Sequence, residues 1–354
     1  VEAAVNAVTT LAGPIEADVL SVEGAFEELW KTLAPASAGG DGEGGSPPGM
    51  PPHPGMRASL VNLISVSNSS READAAAEAI GRMIGRVPCR AIIVDSDPNA
   101  EAAALKTQVR VIGEGMPFGE RQVGCEEVRL TARGAATNAL PSAASSVYDG
   151  DLPIVLWWPK PPFDRADFKR FAADADRVIV DSASFTRNDL VALANFITQS
   201  RKMRTAVSDL NWSRLTPYRQ LFAQFFDSAH CREQLSQIES VRIAAQEAAG
   251  QLMAAWLYSR LEDSCPPGKV VLTPTEGIRP VFHSMVMKTK GGEFAVTRKD
   301  EDTVEARYTL DGEATHRMAR IGLRPLEQLL AEEVGFLGRD RAFDATMKWL
   351  ALTA

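Results

Sequence analysis

Two hydrophobic rhythms alternate along this chain, one with the period of a helix and one with the period of a strand, and their order predicts its architecture. Residues 17 to 33, ADVLSVEGAFEELWKTL, place Val19, Val22, Phe26, Leu29, Trp30 and Leu33 at helical spacing against Glu23, Glu27, Glu28 and Lys31. That is one apolar stripe, and it must be covered by the chain's own body, by a second copy or by a partner. A homo-oligomer therefore stays open. The next stretch, APASAGGDGEGGSPPGMPPHPG at 34 to 55, is too rich in Gly and Pro to offset the entropy of ordering, and it reads as a flexible tether.

From Arg57 short apolar runs alternate with helical segments: SLVNLISVS, READAAAEAIGRMIG, RAIIVDSD, PIVLWW, RVIVDSAS and NDLVALANFITQS. Strands alternating with helices predict a largely parallel sheet covered on both faces. QVRVIG and EEVRLTARG, separated by a Gly-rich turn region with Pro117, read instead as an antiparallel pair, so the sheet is expected to be mixed. Beyond residue 208, DLNWSRLTPYRQLFAQFFD and AAQEAAGQLMAAWLYSRLE are helical, with IESVRIA between them as a short strand. KVVLTP, FHSMVMKTKGGEFAVTRKDEDTVEARYTL and THRMARIGL then alternate at period two, with GG at 291–292 and DG at 311–312 as turns of a meander. The tail PLEQLLAEEVGFLGRDRAFDATMKWLAL returns to helix.

The predicted class is α/β: a mixed, largely parallel, doubly wound sheet in an N-terminal domain, then a smaller α+β domain with an antiparallel meander and C-terminal helices. Expected boundaries are a helix in 1–33, a linker in 34–56, the α/β domain in 57–208 and the second domain in 209–354. Two domains suit 354 residues, and 45% hydrophobic with 24% charged residues is a globular composition. The formal net charge of −8 and the lack of a basic stretch interleaved with aromatics argue against nucleic acid. No run reaches the roughly 20 apolar residues of a membrane span, and the first thirty residues lack the pattern of a secretory signal. A cytoplasmic protein is expected, with no membrane partner. The chain begins at Val1 rather than Met, so a true N-terminus upstream is also expected.

In a doubly wound sheet, ligands sit beyond the carboxyl ends of the strands. Ser69 and Ser70 follow the first of these strands and could rest an anion on a helix N-terminus, or simply cap that helix. Asp95, Asp97 and Asp181 end later strands and could converge on a hard cation or a sugar hydroxyl; Asp-Pro at 97–98 is equally a turn. DGD at 149–151 also reads as a turn. No GxxxxGK or GxGxxG follows the first strand, which removes the usual nucleotide and dinucleotide cradles, and no cofactor is expected. Cys89, Cys125, Cys231 and Cys265 lie far apart without CxxC pairs, so no zinc site is expected, and His53, His230, His283 and His316 fall in no nucleophile motif.

Two clusters look built for contact. In PIVLWWPKPP, one of the neighbouring strand residues Trp157 and Trp158 is expected to face outward, with Pro159 beside it. In DLNWSRLTPYRQLF, Trp212, Arg214, Tyr218 and Arg219 are types enriched at interface hot spots, though Arg and Trp also stack internally. Pro217 is expected in the first turn of its helix.

RASLVNLISVS at 57, VPCRAIIVDSDP at 87, SSVYDGDLPIVLWWPKPP at 145, DRVIVDSASF at 176 and DLNWSRLTPYRQLFAQFFD at 209 resemble OpcA, the glucose-6-phosphate dehydrogenase assembly family of cyanobacteria and other bacteria. ELWK at 28–31 and LLAEEVGFLGRDRAFDATMKW near the end are similar to the family's ends. The resemblance implies a non-catalytic accessory protein that binds glucose-6-phosphate dehydrogenase and promotes its active oligomer in the oxidative pentose phosphate pathway, an allosteric activator in carbohydrate metabolism. The alternatives are a metal-assisted sugar-phosphate or nucleotide-sugar enzyme using the strand-end aspartates, or a metabolite sensor using the same crevice.

Overall fold

The structure is a computed structural model that describes residues 8–33, 56–114, 123–161, 163–200, 205–265, 267–275 and 281–352. The tether at 34–55, His53 within it and the turn around Pro117 lie outside the described residues. The chain divides into two compact units: 1–157 with 166–177 and 326–336, and 158–165 with 178–325 and 337–354.

The first unit contains β1 (Val8–Ala17), α1 (Val22–Leu33), β2 (Met56–Arg57), β3 (Asn62–Ser67), α2 (Ser70–Met83), β4 (Arg90–Asp97), β5 (Ala104–Glu114), β6 (Val123–Arg133), α3 (Leu140–Ser145), β7 (Ile154–Trp157) and α4 (Ala166–Asp174). Its strands run in the order β1-β5-β6-β4-β3-β7, with β2 beside β6. β6, β4, β3 and β7 are parallel neighbours, while β5 and β1 add antiparallel strands on the β6 side. The β5–β6 pair is the antiparallel pair expected from QVRVIG and EEVRLTARG. β1 was not legible, because register shifts between Thr10 and Ala12 and between Ala12 and Ile15 break its period-two pattern.

The stripe of α1 is covered by its own unit. Phe26 and Leu29 are buried, and the Trp30 indole donates to Glu126 Oε1 at 2.8 Å. Glu23 and Glu126 both accept from Arg90, whose guanidinium also donates to the Val147 carbonyl at 3.1 Å and lies over the Phe26 ring at 5.2 Å. Arg90 is fully buried and Glu126 only 3% exposed, so each charge is balanced inside the unit. Trp30 comes this close because position 124 is glycine; a Cβ there would stand 2.5 Å from the indole.

The second unit contains β8 (Arg177–Val180), α5 (Arg187–Ser200), β9 (Ala206–Asp209), α6 (Leu210–Ala223), α7 (Ala229–Glu233), β10 (Ile238–Ala245), α8 (Glu247–Leu261), β11 (Val270–Pro274), β12 (Phe282–Thr289), β13 (Gly292–Arg298), β14 (Thr303–Leu310) and β15 (Glu313–Arg320). β8 and β9 are neighbours, and six strands form a separate sheet in the order β11-β10-β12-β13-β14-β15. Only β10 and β11 are parallel there, and β12 to β15 form the expected meander. Asp311 and Gly312, with φ of +50° and +86°, make the last hairpin turn, a left-handed pair that Asp-Gly suits. α9 (Leu326–Val334) belongs to the first unit and α10 (Arg341–Leu352) to the second. No helix of the described residues is long and apolar enough to cross a membrane.

Candidate functional site

The strand-end residues of the first unit are engaged with their own neighbours. Ser69 caps α2 by accepting from the Glu72 amide at 3.3 Å, and Ser70 Oγ accepts from Arg133 at 3.1 Å. Asp95 is buried between two guanidiniums, at 3.0 Å from Arg133 and 3.3 Å from Arg129, and Arg129 also pairs with Asp74 at 2.6 Å. Burial alone would raise the Asp95 pKa, but these bonds together hold it below the ordinary carboxylate value. Asp97 accepts from the Asn99 amide at 3.0 Å, the turn that Asp-Pro signals. An Arg–Asp network thus fills the place where a doubly wound sheet would cradle phosphate. Asp149 to Leu152 also closes as a turn, with Gly150 at φ +37°.

Asp181 belongs to the second unit, where Arg214 grips it with two hydrogen bonds of 2.6 and 2.8 Å. The expected convergence of Asp95, Asp97 and Asp181 on a cation is not supported: among the described residues no three His, Cys, Asp or Glu side chains are grouped to hold a metal. All four cysteines are free and buried.

The expectation of an outward indole is corrected. Trp157 is 5% exposed and Trp158 6%. For Trp157 the reason is the sheet itself: it ends β7, a parallel strand buried on both faces, while Trp158 follows the strand and donates its amide to the Ile179 carbonyl at 2.8 Å. Trp212, Tyr218 and Arg219 are also buried, which leaves Pro159 and Arg214 as the half-buried members of the expected contact set.

α6 explains why those residues face inward. Asp209 caps it, accepting from the Asn211 amide at 3.0 Å, the Ser182 amide at 2.9 Å and the Ser182 hydroxyl at 2.6 Å. Asp209 is completely buried, and desolvation raises its pKa to about 6 despite those bonds. The Trp212 indole donates to Asp340 at 2.8 Å, and the other oxygen of that carboxylate caps α10. Arg219 lies 3.2 Å from the centre of the Trp212 ring and donates to the Trp212 carbonyl at 2.8 Å. Here Arg and Trp stack internally, and burial lowers the Arg219 pKa to about 9. Tyr218 packs on Phe282 of β12 at 4.5 Å between ring centres.

Pro217 does not stand in the first turn of α6. The helix begins at Leu210, so Pro217 is in its interior and the Ser213 carbonyl loses the amide that would bond it. Arg324 donates to that carbonyl instead. DLNWSRLTPYR is therefore a hub tying helix, sheet and C-terminal helix of one unit together. Asp209 was detectable as an acidic cap directly before a helical run. The roles of Arg90, Asp340 and Arg324 depend on long-range contacts and leave no local signal.

Residues 81–196 match the family described as glucose-6-phosphate dehydrogenase subunit N-terminal domain, and residues 205–347 match its C-terminal domain counterpart. A Nostoc punctiforme protein named as an OxPP cycle protein OpcA is 32% identical over 187 residues, covering 50% of this chain and 38% of that one. A Synechocystis protein of the same name is 30% identical over 144 residues, covering 39% of this chain and 30% of that one. The chain thus aligns with well under half the length of these relatives. Among solved structures, a levoglucosan dehydrogenase in complex with NADH and levoglucosan is similar at TM-score 0.42 and 11% identity, covering 83% of this chain and 95% of that one.

Proposed function

Because the chain belongs to the OpcA family of glucose-6-phosphate dehydrogenase subunits, we propose that it is a non-catalytic accessory protein that binds glucose-6-phosphate dehydrogenase in the cytoplasm and promotes its active oligomer in the oxidative pentose phosphate pathway. The observation that carries this reading is the match of both halves of the chain to the two domains of that family.

An accessory protein acts through differential affinity, since it must bind the active arrangement of the dehydrogenase more tightly than the inactive one. A tenfold bias needs about 1.4 kcal/mol, within reach of a few contacts. The surface we favour is β15, the last strand of its sheet, exposed on both faces and carrying His316, Arg317, Met318 and Arg320. An unpaired edge offers main-chain groups to a partner strand, with basic side chains beside them. Mixing the chain with its cognate dehydrogenase and measuring mass by light scattering during size-exclusion chromatography tests the partnership. Co-elution as a larger complex is expected, weakened in Arg317→Glu. Separate elution at micromolar concentration would overturn the reading.

A further inference from the structure

On α2, Asp74, Ala77 and Glu78 share one face of the helix, because residues three and four apart are neighbours there. That face forms one wall of a cleft of about 390 Å³ within the first unit, and Gln108 and Arg110 of β5 with Glu127 and Arg129 of β6 line the sheet side. A glycine brings β1 in to close it. A Cβ at position 81 would stand 2.8 Å from both methyl carbons of Val8, so the start of β1 reaches α2 only because Gly81 has none. The charges of the lining cancel in pairs. Arg110 grips Glu127 with two hydrogen bonds of 2.7 and 2.8 Å, Arg129 pairs with Asp74 at 2.6 Å, and Glu78 pairs with Arg82. Arg129 also reaches Asp95, which Arg133 holds in turn. Every guanidinium and carboxylate lining the cleft therefore has an opposite partner.

Hydrogen-bonding capacity is left over although charge is not. Asp74 and Glu78 each accept through one oxygen in these pairs, and a guanidinium carries about five N–H groups, more than Arg110 and Arg129 use. Gln108 is half-buried, and its amide, which can both donate and accept, has no partner among the described residues. Thr10 adds a hydroxyl 3.5 Å from the Arg110 guanidinium. An anion or a cation finds no unpaired charge here. A nucleotide base finds no aromatic ring to stack on, since none lines the cleft. The volume lies within the about 300 to 1,000 Å³ of small-molecule sites, but those linings are mostly apolar and this one is largely polar. That difference selects a ligand rich in hydroxyls, each of which donates and accepts at once. Neighbouring hydroxyls on one ring can meet a carboxylate oxygen and a guanidinium N–H side by side, while the C–H face of the ring covers Pro14 and Ala77.

We propose that this cleft between α2 and the β1-β5-β6 side of the sheet binds a neutral polyhydroxylated ring of monosaccharide size. The site is a second function for the chain, and it stands whether or not the dehydrogenase is the partner. D-glucose, D-galactose, D-ribose and myo-inositol, each titrated into the full chain, test it by saturation-transfer NMR and calorimetry, with inorganic phosphate as the charged comparison. Saturable binding of at least one of them in the millimolar range is expected, with an affinity that added sodium chloride leaves unchanged and no competition from phosphate. Gln108→Leu removes the free amide without breaking an ion pair, and Thr10→Trp, at an exposed position of β1, obstructs the cleft. Each is expected to weaken the bound ring at least tenfold, with circular dichroism confirming the fold of whichever variant is compared. No saturable transfer from any of the four compounds up to tens of millimolar would overturn the proposal. So would binding that both folded variants leave unchanged, or binding that phosphate displaces.

Discussion

Asp209 gives the sharpest prediction because its burial and its hydrogen bonds push in opposite directions. Its carboxylate is completely buried and its pKa stands at about 6, raised by desolvation from the ordinary 3.8. A shift of about 2 units corresponds to about 3 kcal/mol, since each unit is 1.36 kcal/mol. The folded state therefore holds the proton more tightly than the unfolded state does. Its contribution to stability is fully present below pH 3.8 and is lost as pH rises through about 6. Asp209→Asn keeps the shape and an oxygen for the Ser182 and Asn211 amides, but it carries no titrating group. Between pH 3.5 and 7, urea unfolding of the two proteins should show the variant gaining on the wild type by about 3 kcal/mol. Comparing the two proteins cancels the other groups, among them Glu23 and Asp95, whose lowered pKa values act in the opposite sense. A difference that stays constant with pH, or one that moves in favour of the wild type as pH rises, would show that the hydrogen bonds match or outweigh desolvation.

The first unit yields three more tests. Arg90→Met leaves Glu126 buried with only the half-exposed Arg57 as a charged partner, and is expected to cost about 3 to 5 kcal/mol in urea unfolding; a loss under 1 kcal/mol would mean that the pair is not what anchors α1. Gly124→Ala forces the Trp30 indole away from β6, and should cost about 1 to 3 kcal/mol and red-shift tryptophan emission as the ring meets water. An unchanged spectrum and stability would contradict the close approach. The Cys89 thiol is pushed well above its usual pKa and that of Cys125 up to about 11, both by burial. Native protein should therefore resist a thiol reagent at pH 8, with all four cysteines reacting once the chain is unfolded.

Much of the fold was legible because its local signals agree with one another. READAAAEAIGRMIG carries a helical stripe and becomes α2; β14 of the meander alternates over most of its length, and Asp311-Gly312 marks the last turn. β1 was hidden because two register shifts scramble the faces of VTTLAGPIEA. Pro217 misled in another way: proline is expected at a helix start, yet a guanidinium distant in sequence, that of Arg324, supplies the bond the ring removes. The outward indole failed for a physical reason already contained in the pattern. A strand in a doubly covered sheet has no outer face, so Trp157 at the end of β7 is interior whichever way it points.

We propose that this chain acts on another enzyme and performs no chemistry itself. The direct measurement is the rate of NADP reduction by a fixed amount of cognate glucose-6-phosphate dehydrogenase as the purified chain is added, together with the same assay on the chain alone. A saturable rise in dehydrogenase activity is expected at the ratio at which the two proteins co-elute, with no turnover without the dehydrogenase. A flat titration, or NADP reduction by the chain alone, would contradict it.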